Sequence, residues 1–247
     1  MAPKIKHELL TNYDAANNRY EIGVDEAGRG PLFGRLYVAA VVLPKDGDFQ
    51  HNEMKDSKKF HSKTKIKEVA EYIKTNAVAW NVQYIEADVI DEINIRQAVF
   101  RGMHDSIRHV RNDCLAKMDN SEPRNQMNDF MLLIDGNDFK PFTSFDAISE
   151  QIVALPHETI EGGDNKYTAI AAASILAKVS RDEYIADLCE KYPELVERYG
   201  LDSNMGYGTK RHLDGIVKYG ITQLHRRTYG KNCKEATISP IILEENC

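Results

Sequence analysis

The stretch Ile22-Gly-Val-Asp-Glu-Ala-Gly-Arg-Gly-Pro31 limits most strongly what this chain can be. Its apolar start, residues 22–24, has the character of a buried strand and delivers Asp25 and Glu26 to the end of that strand. The glycines on both sides of Arg29 let the backbone approach a ligand closely, and the arginine supplies a fixed positive fork. Acids that can hold a metal, followed by backbone that can hold phosphate or sugar, indicate nucleotide or nucleic-acid chemistry.

The composition is that of an ordinary globular protein. The chain has 247 residues, 42% hydrophobic and 28% charged, and no apolar run approaches the ~20 residues of a membrane span. The polar residues 1–20 lack the apolar core of an export signal, so we expect an intracellular, cytoplasmic protein, with nucleoid or replication association left open. Four cysteines without a CxxC pair indicate reduced thiols and no zinc site.

The net charge of −6 argues against a protein that binds nucleic acid through a simple basic patch. It does not argue against an enzyme with a local basic groove around an acidic centre, because the field at a site depends on its near neighbours.

Hydrophobic periodicity predicts strands that alternate with helices after an initial pair of strands. The predicted strands are 20–24, 36–43, 77–85, 130–134 and 151–155. The predicted helices are 62–74, 87–90, 94–110, about 167–191, a short helix from Pro193, and 210–218. The polar segment 111–129 is predicted to be a surface insertion or linker. This order of elements predicts an α/β fold with a mixed central sheet.

The predicted organisation has three parts. Residues 1–18 form a flexible N-terminal extension, residues 19–230 form one catalytic domain that includes C-terminal helices, and residues 231–247 form a tail.

Three acids follow apolar segments or glycines: Asp25, Asp135 and Asp164. Singly, each has an ordinary structural explanation, a turn at the first two and a helix cap at the third. Together they match a carboxylate site for Mg²⁺, because this cation prefers oxygen ligands and clustered carboxylates repel one another until a cation arrives. Two such ions can activate a water and stabilise the leaving oxygen in phosphoryl displacement. Glu26 can join them only if the backbone turns, since adjacent strand residues point to opposite faces.

Six motifs occur in order between about residue 20 and residue 230. They are GVDEAGRGP (23–31), DSK (56–58), IDG (134–136), GD (163–164), AAASILAKVSRD (171–182) and GYGTK (206–210). Together they resemble the type 2 ribonuclease H family, in its ribonuclease HII branch. The resemblance implies a ribonuclease H-like fold, in which helices flank a mixed central sheet and helical segments follow at the C-terminus.

The resemblance also implies an activity. It is that of an endoribonuclease dependent on Mg²⁺ or Mn²⁺, with two ions per site, which cleaves RNA in RNA–DNA hybrids. The enzyme would also cut on the 5′ side of single ribonucleotides in duplex DNA, leaving a 3′-hydroxyl and a 5′-phosphate and so initiating ribonucleotide excision. By the family pattern, the catalytic and metal-binding acids are Asp25, Glu26, Asp135 and Asp164.

Substrate contacts follow from the same resemblance. The backbone of Gly28, Arg29 and Gly30 would contact the ribonucleotide, and Tyr207 would recognise its 2′-hydroxyl and stack on the neighbouring deoxyribose. A second group has two open alternatives, phosphate contact or solvated surface: Ser57, Lys58, Lys178, His225, Arg226 and Arg227. For Lys178, contact with a carboxylate is a further alternative.

Some features depart from the family or narrow it. Gly162 stands where the family usually has a lysine, which removes one positive neighbour of Asp164. Residues 237–247 lack the glutamine–aliphatic–double-aromatic pattern of a sliding-clamp peptide, so no clamp binding is expected there. The length and the segment 36–44 favour the type of enzyme in this family that acts as a single chain, so a monomer is expected. No membrane partner is expected either.

Two other functions stay open at this point. One is a catalytically silent subunit of the same fold that binds hybrid duplexes, although clustered acids facing phosphates would not serve a pure binder. The other is a different metal-dependent nuclease of this fold, such as a junction resolvase or an integrase, which needs carboxylates but no sensor of the 2′-hydroxyl.

Overall fold

The computed structural model describes residues 8–17, 19–45, 47–118, 129–146 and 149–238. Its central sheet is built from the strands β1 (Tyr20–Ala27), β2 (Leu36–Val42), β3 (Ala79–Ile85), β4 (Phe130–Asp135) and β7 (His157–Ile160). Their order across the mixed sheet is β3-β2-β1-β4-β7, so the first two strands lie side by side as the sequence predicts. A separate antiparallel pair is formed by β5 (Thr143–Asp146) and β6 (Gln151–Ala154).

Helices fill much of the remaining described chain. They are α1 (Lys63–Asn76), α2 (Ala87–Ile93), α3 (Ile95–Lys117), α4 (Thr168–Lys191), α5 (Pro193–Tyr199), α6 (Leu201–Asn204), α7 (Lys210–Tyr219) and α8 (Gly230–Glu235). Short 3-10 helices occur at His51–Glu53, Ser57–Lys59 and Gly163–Asn165. Across the described ranges, none of the helices combines the length and the apolar character that crossing a bilayer requires.

The chain divides into two compact units. Unit 1 comprises Met1–Asp25, Val38–Gln83 and Met103–Ala177. Unit 2 comprises Glu26–Tyr37, Tyr84–Gly102 and Lys178–Cys247. The single catalytic domain that the sequence predicts over residues 19–230 therefore contains parts of both units.

In unit 1, the core is set by two parallel strands. β1 runs alongside β4 with Ile22 paired to Leu132 and Val24 paired to Ile134, and all four side chains are fully buried. Near-continuous apolar runs are what parallel strands covered on both faces require. Gly23 lies between Ile22 and Val24, and its lack of a side chain lets the start of α4 pack directly against the strand, since a Cβ there would stand 2.2 Å from the carbonyl carbon of Ala169.

Unit 2 has a core of its own. Its buried cluster consists of Phe33, Ile185, Leu195, Tyr199, Leu201, Ile216, Ile221, Leu224 and Cys233. Several polar side chains are buried in this unit as well, and they prove to be functional candidates: His212, Thr222, His225 and Arg226.

The linker predicted over residues 111–129 is wrong for its first part. The helix α3 continues to Lys117, while residues 119–128 lie outside the described ranges. The reason is a buried stripe at helical spacing that includes Ile107, Val110 and Cys114. The polar residues between them lie on the other faces of the helix, and in the sequence they resemble a linker.

Three further elements differ from the prediction. The strand predicted over residues 151–155 exists as β6, but its partner is β5 and not a strand of the central sheet. The edge strand β7 was not predicted, because His157–Ile160 is only four residues long and contains a single apolar residue. Part of the predicted tail is helical, since α8 ends at Glu235, while residues 239–247 lie outside the described ranges.

The described part of the N-terminal extension is hydrogen-bonded to the rest of unit 1. The Leu10 N–H donates to the Lys166 carbonyl at 2.8 Å, and the Thr168 N–H donates to the Leu10 carbonyl at 3.0 Å. The buried carboxylate of Glu21 accepts the Tyr13 N–H at 2.8 Å. Residues 1–7 and 18 of that predicted extension lie outside the described ranges.

Cysteines in the described part of the chain are free thiols. Burial raises the pKa of Cys114, Cys189 and Cys233 to about 11 in each case. These thiols are therefore protonated and unreactive at neutral pH.

The contact at Gly23 gives a stability test. We expect Gly23→Ala to lower the free energy of unfolding by about 3 kcal/mol, because the added methyl group meets helix backbone that cannot rotate away. Gly230→Ala is the matched control: its Cβ would meet nothing within 4 Å, so only the positive φ of 65° is strained, at about 1 kcal/mol. Chemical denaturation of both variants measures the difference, and an equal or smaller loss for Gly23→Ala would contradict the packing described.

Candidate active site

The topology of unit 1 brings predicted acids to one edge of the sheet. β1 and β4 are parallel, and the pairing of Val24 with Ile134 makes the next residues, Asp25 and Asp135, level with each other. β7 is also parallel to β4, and the 3-10 helix that follows it carries Asp164. The carboxyl ends of parallel strands meet at the same edge, so strand direction alone accounts for the gathering of these three residues.

Hydrogen bonds fix Asp135, the last residue of β4, and Asp164, which follows β7. The Gly163 N–H donates to Asp135 Oδ1 at 2.7 Å. Asp164 is only 4% exposed, and its Oδ1 accepts from Asn165 Nδ2 at 2.9 Å. The backbone of the 3-10 helix thus holds Asp135, and a side chain of the same helix holds Asp164.

A further acid in this group, Asp56, was not predicted. It is 8% exposed, accepts the Lys58 N–H at 2.9 Å and accepts Asn165 Nδ2 at 3.2 Å. The Asn165 amide therefore links Asp56 to Asp164. From the motif DSK (56–58), only Ser57 and Lys58 were predicted to be site residues. The signal that could have found Asp56 is its capping position two residues before Lys58.

The charges of these groups act on one another. Burial raises the pKa of Asp164, the carboxylates of Asp56 and Asp135 raise it further, and Lys58 and Asn165 offset only part of that effect. Burial lowers the pKa of Lys58, but nearby carboxylates outweigh burial and raise it: Asp56, Asp164, Asp25 and Asp135. Unit 1 thus holds a lysine cation in the field of four carboxylates.

The donor chemistry of this group fits a hard divalent cation. Its donors are carboxylate oxygens, and their mutual repulsion favours cation binding. Within the ranges described above, no three His, Cys, Asp or Glu side chains already stand as a complete set of metal ligands. Asp135 and Asp164 each accept one hydrogen bond, which leaves lone pairs on both carboxylates for a metal.

Glu26 differs from the other acids. β1 continues through Ala27, and the turn begins at Gly28, so the backbone does not turn between Asp25 and Glu26. The Glu26 carboxylate lies in unit 2, where its Oε1 is 3.4 Å from Arg29 Nη1. Its assignment as a metal ligand stays a prediction.

In unit 2, Gly28 allows a close contact with a buried arginine. Its φ is +95°, and a Cβ there would stand 2.3 Å from Arg181 Nε. Arg181 is 3% exposed and donates through Nη2 to the Met205 carbonyl at 2.9 Å and to the Phe33 carbonyl at 3.3 Å. Arg181 therefore supports both the loop at Gly28 and the turn that precedes Tyr207, a role that sequence reasoning missed.

A second buried arginine holds the same loop. Arg226 Nη1 donates to the Arg29 carbonyl at 3.2 Å, and the Tyr229 hydroxyl donates to it at 2.8 Å. Because C=O and N–H of a trans peptide point in opposite directions, the Gly30 N–H faces away from these donors. His225 and Arg226 are fully buried, so the sequence-based alternatives of phosphate contact or solvated surface are wrong for both.

Unit 2 also brings Gly30 together with Tyr207, as the motif assignments require. A Cβ on Gly30 would stand 3.5 Å from Tyr207 Cε1, so a side chain at this position would fill the space between the backbone and the ring. The Tyr207 ring is 50% exposed. An exposed aromatic ring beside glycine backbone is available to a ligand.

The predicted phosphate contacts have different environments. Ser57 is buried, and its hydroxyl is 3.0 Å from that of Ser174. Lys178 forms an ion pair with Asp182 on the same helix. Lys58 is exposed, and its raised pKa keeps it cationic. Of these three residues, Lys58 is best placed to meet a phosphate.

The fold is similar to that of known ribonucleases. The crystal structure of ribonuclease H2 from Pyrococcus horikoshii OT3 matches with a TM-score of 0.63 and 23% identity, covering 87% of this chain and 95% of that chain. Ribonuclease HII of Archaeoglobus fulgidus, solved in a complex with PCNA, matches with a TM-score of 0.61 and 23% identity, covering 86% and 96%. The predicted α/β ribonuclease H-like fold is confirmed.

Sequence similarity defines the family. The family model described as Ribonuclease HII matches residues 22–232. Ribonuclease HII of Parabacteroides distasonis is 39% identical over 211 residues, which covers 85% of this chain and 90% of that protein. The chain belongs to the ribonuclease HII family. It is a type 2 ribonuclease H, a nuclease that hydrolyses phosphodiester bonds, and members of the family act on nucleic acid and depend on divalent metal ions. This decides against the silent subunit, the resolvase and the integrase.

The environment of Asp164 gives a pH-dependent stability test in the presence of a chelator. Because its pKa is raised, the ionised carboxylate destabilises the fold at neutral pH. This loss of folding stability becomes smaller as the pH falls through the raised pKa of Asp164, and it disappears below the ordinary pKa of an aspartate. We therefore expect Asp164→Asn to raise Tm at pH 7, with a gain that vanishes on acidification.

The control for this test is Asp105→Asn in α3, which removes an exposed ion pair with Arg108 and should give no such gain. Thermal unfolding between pH 7 and pH 4 measures both variants. A lower Tm for Asp164→Asn at pH 7, with a difference from wild type that stays constant on acidification, would contradict the electrostatic account.

Proposed function

We propose that this enzyme cleaves RNA in RNA–DNA hybrids and cuts on the 5′ side of single ribonucleotides embedded in duplex DNA, leaving a 3′-hydroxyl and a 5′-phosphate. The observation that carries the proposal is the position of the exposed Tyr207 ring beside Gly30 in unit 2, where a Cβ on Gly30 would stand 3.5 Å from Tyr207 Cε1. Such a pairing can test a nucleotide for its 2′-hydroxyl, the group that distinguishes RNA from DNA.

The acids are proposed to hold the metal. Asp25, Glu26, Asp135 and Asp164 would bind two Mg²⁺ or Mn²⁺ ions, and the gathering of three of them at one sheet edge supports this assignment. When bound, the two ions would supply an activated water and stabilise the leaving oxygen of an in-line displacement. The chain's own contribution is to hold the carboxylates in place through Gly163 and Asn165.

Recognition is proposed to rest on the loop Gly28-Arg29-Gly30 and on Tyr207. The Arg29 carbonyl is turned inward by Arg226 and Tyr229, which turns the following N–H away from them and makes it available to the sugar. The Tyr207 ring would pack on the neighbouring deoxyribose. Backbone groups suit this role because they are rigid and both donate and accept.

Phosphate contacts are proposed for Ser57, Lys58 and Lys178. The exposed, cationic Lys58 is supported best, because its position among the carboxylates would place it near the reacting phosphate. Lys178 would have to exchange Asp182 for a phosphate oxygen, and Ser57 would have to give up Ser174. We further propose that the chain acts as a monomer inside the cell, without a clamp-binding peptide in its tail.

Removing single carboxylates tests the metal assignment. We expect Asp25→Asn and Asp135→Asn to lower kcat at least about a hundred-fold with Mg²⁺, since loss of a ligand weakens metal binding and the activation of water. Steady-state cleavage of a duplex with one embedded ribonucleotide measures the effect.

Both variants should remain folded, because neutralising one of several clustered carboxylates relieves repulsion. Circular dichroism and thermal unfolding provide this control, and Asp105→Asn on the exposed face of α3 should retain wild-type kcat. Wild-type cleavage by Asp25→Asn and Asp135→Asn would show that the metal assignment is wrong.

The substrate claim is tested with two duplexes that differ by one oxygen atom. We expect the duplex with a single embedded ribonucleotide to be cleaved about 10⁴-fold faster than the all-DNA duplex, because a site built to bind a hydroxyl rejects the analogue that lacks it. The comparison is made with Mg²⁺ and with Mn²⁺. Equal cleavage of both duplexes would contradict recognition of the 2′-hydroxyl.

A further inference from the structure

Two buried histidines of unit 2 face each other directly behind Tyr207. His212 on α7 is fully buried, and His225 is 1% exposed. The Nε2 atoms of the two rings are 3.1 Å apart, which is a hydrogen-bond distance. In such a contact one nitrogen must donate and the other must accept.

A backbone amide sets the direction of this contact. The Thr222 N–H donates to His225 Nδ1 at 3.0 Å, so that nitrogen carries a lone pair and no proton. The proton of neutral His225 is therefore on Nε2 and is donated to His212 Nε2. His212 then has its own proton on Nδ1, which lies 3.0 Å from the Tyr207 carbonyl and donates to it.

The chain of bonds requires both rings to be neutral. A second proton on His212 would place two N–H groups face to face at the contact between the rings. A proton on His225 Nδ1 would break the bond from the Thr222 N–H and leave the Thr222 hydroxyl, 2.9 Å from that nitrogen, as its acceptor. Burial lowers the pKa of His212, with partial compensation from the carbonyls of Tyr207 and Gly206. Burial, and then the neighbouring His212, lower the pKa of His225 well below its ordinary value.

Aromatic packing keeps the two rings in this geometry. The Tyr199 ring lies 5.8 Å from the His212 ring and 4.9 Å from the His225 ring, and Phe33 meets His225 edge-on at 5.0 Å. The Tyr199 hydroxyl does not compete for the imidazole nitrogens, since it donates to the Gly220 carbonyl at 3.0 Å.

The backbone of Tyr207 is held on both sides. Its carbonyl accepts from His212 Nδ1 and from the Thr209 N–H at 2.8 Å, and its own N–H donates to the Asn204 carbonyl at 2.9 Å. The ring itself is half exposed. A fixed backbone with an exposed ring is the arrangement that a rigid sensor needs, because a shift of 1 Å at the reacting centre is costly.

We propose that His225 and His212 are positioning residues that set the orientation of Tyr207, and through it the selectivity for a ribonucleotide. They do so through a directed chain of hydrogen bonds, which runs from the Thr222 N–H through His225 and His212 to the Tyr207 carbonyl. The inference rests on the proposed sensor role of Tyr207, and its test separates the two claims.

The test is a double-mutant cycle on a duplex with one embedded ribonucleotide. His212→Phe keeps an aromatic ring in the core but removes the donor to Tyr207, and we expect kcat/KM to fall about ten-fold. In the Tyr207→Ala background the same change should have no further effect, because the group it positions is absent. His212→Asn places an amide N–H near the position of Nδ1 and should restore kcat/KM to within about three-fold of wild type.

Tyr199→Phe is the matched control, since it removes a buried hydrogen bond of the same core without touching Tyr207. It should lower Tm and leave kcat/KM unchanged. If His212→Phe and Tyr207→Ala instead act additively, His212 supports only the fold and the positioning inference is overturned. If Tyr207→Ala alone has no effect, the sensor role in the proposed function fails first.

A measurement on the wild-type protein does not depend on how the variants fold. Nitrogen-15 NMR of the histidine side chains should show His212 protonated at Nδ1 and His225 protonated at Nε2 at pH 7. A proton on His225 Nδ1, or a charged ring at either position, would overturn the directed chain.

Discussion

Repulsion between carboxylates is the constraint on which unit 1 depends. The parallel pairing of β1 with β4 makes Asp25 and Asp135 level, and the turn after β7 adds Asp164 beside them. Such a group is unfavourable by itself, and burial together with the carboxylates of Asp56 and Asp135 raises the pKa of Asp164. The buried strands β1 and β4 hold the acids together in spite of this repulsion, while Lys58 offsets part of the charge. The metal dependence of the family follows from the same electrostatics, since a divalent cation supplies what one lysine cannot.

In unit 2, buried arginines and neutral histidine rings hold backbone segments in place. Arg181 and Arg226 are buried side chains that bind backbone carbonyls, including those of Arg29 and Met205. These hydrogen bonds to inward-facing carbonyls fix the loop after β1. The outward-facing groups of the loop are not used in them. His225 and His212 do the same for Tyr207 through a chain of neutral donors. In the proposed function, recognition would thus depend on groups that do not touch the substrate themselves.

The sequence was sufficient to predict the features that depend on residues close together in the chain. Buried strands followed by an acid and a glycine predicted β1, β4 and the acids at their ends, and alanine-rich spacing predicted α4. It was insufficient where contacts join distant residues with no local pattern. Asp56 meets Asn165, and Arg181 meets Met205, only because the fold brings them together. The end of α3 was missed because the exposed faces of a helix resemble a polar linker, and β7 because four residues are too few for a periodic signal.

The most direct measurement of the central claim is the chemistry of the ends produced from a duplex with one embedded ribonucleotide. In this account the 2′-hydroxyl is recognised and does not react, while water attacks the phosphate on its 5′ side. Mass spectrometry of the products should therefore show a DNA strand ending in a 3′-hydroxyl and a partner beginning with a 5′-phosphate on the ribonucleotide. A nick on the 3′ side of the ribonucleotide that leaves a 2′,3′-cyclic phosphate would mean that the 2′-hydroxyl is the nucleophile, and would contradict the account.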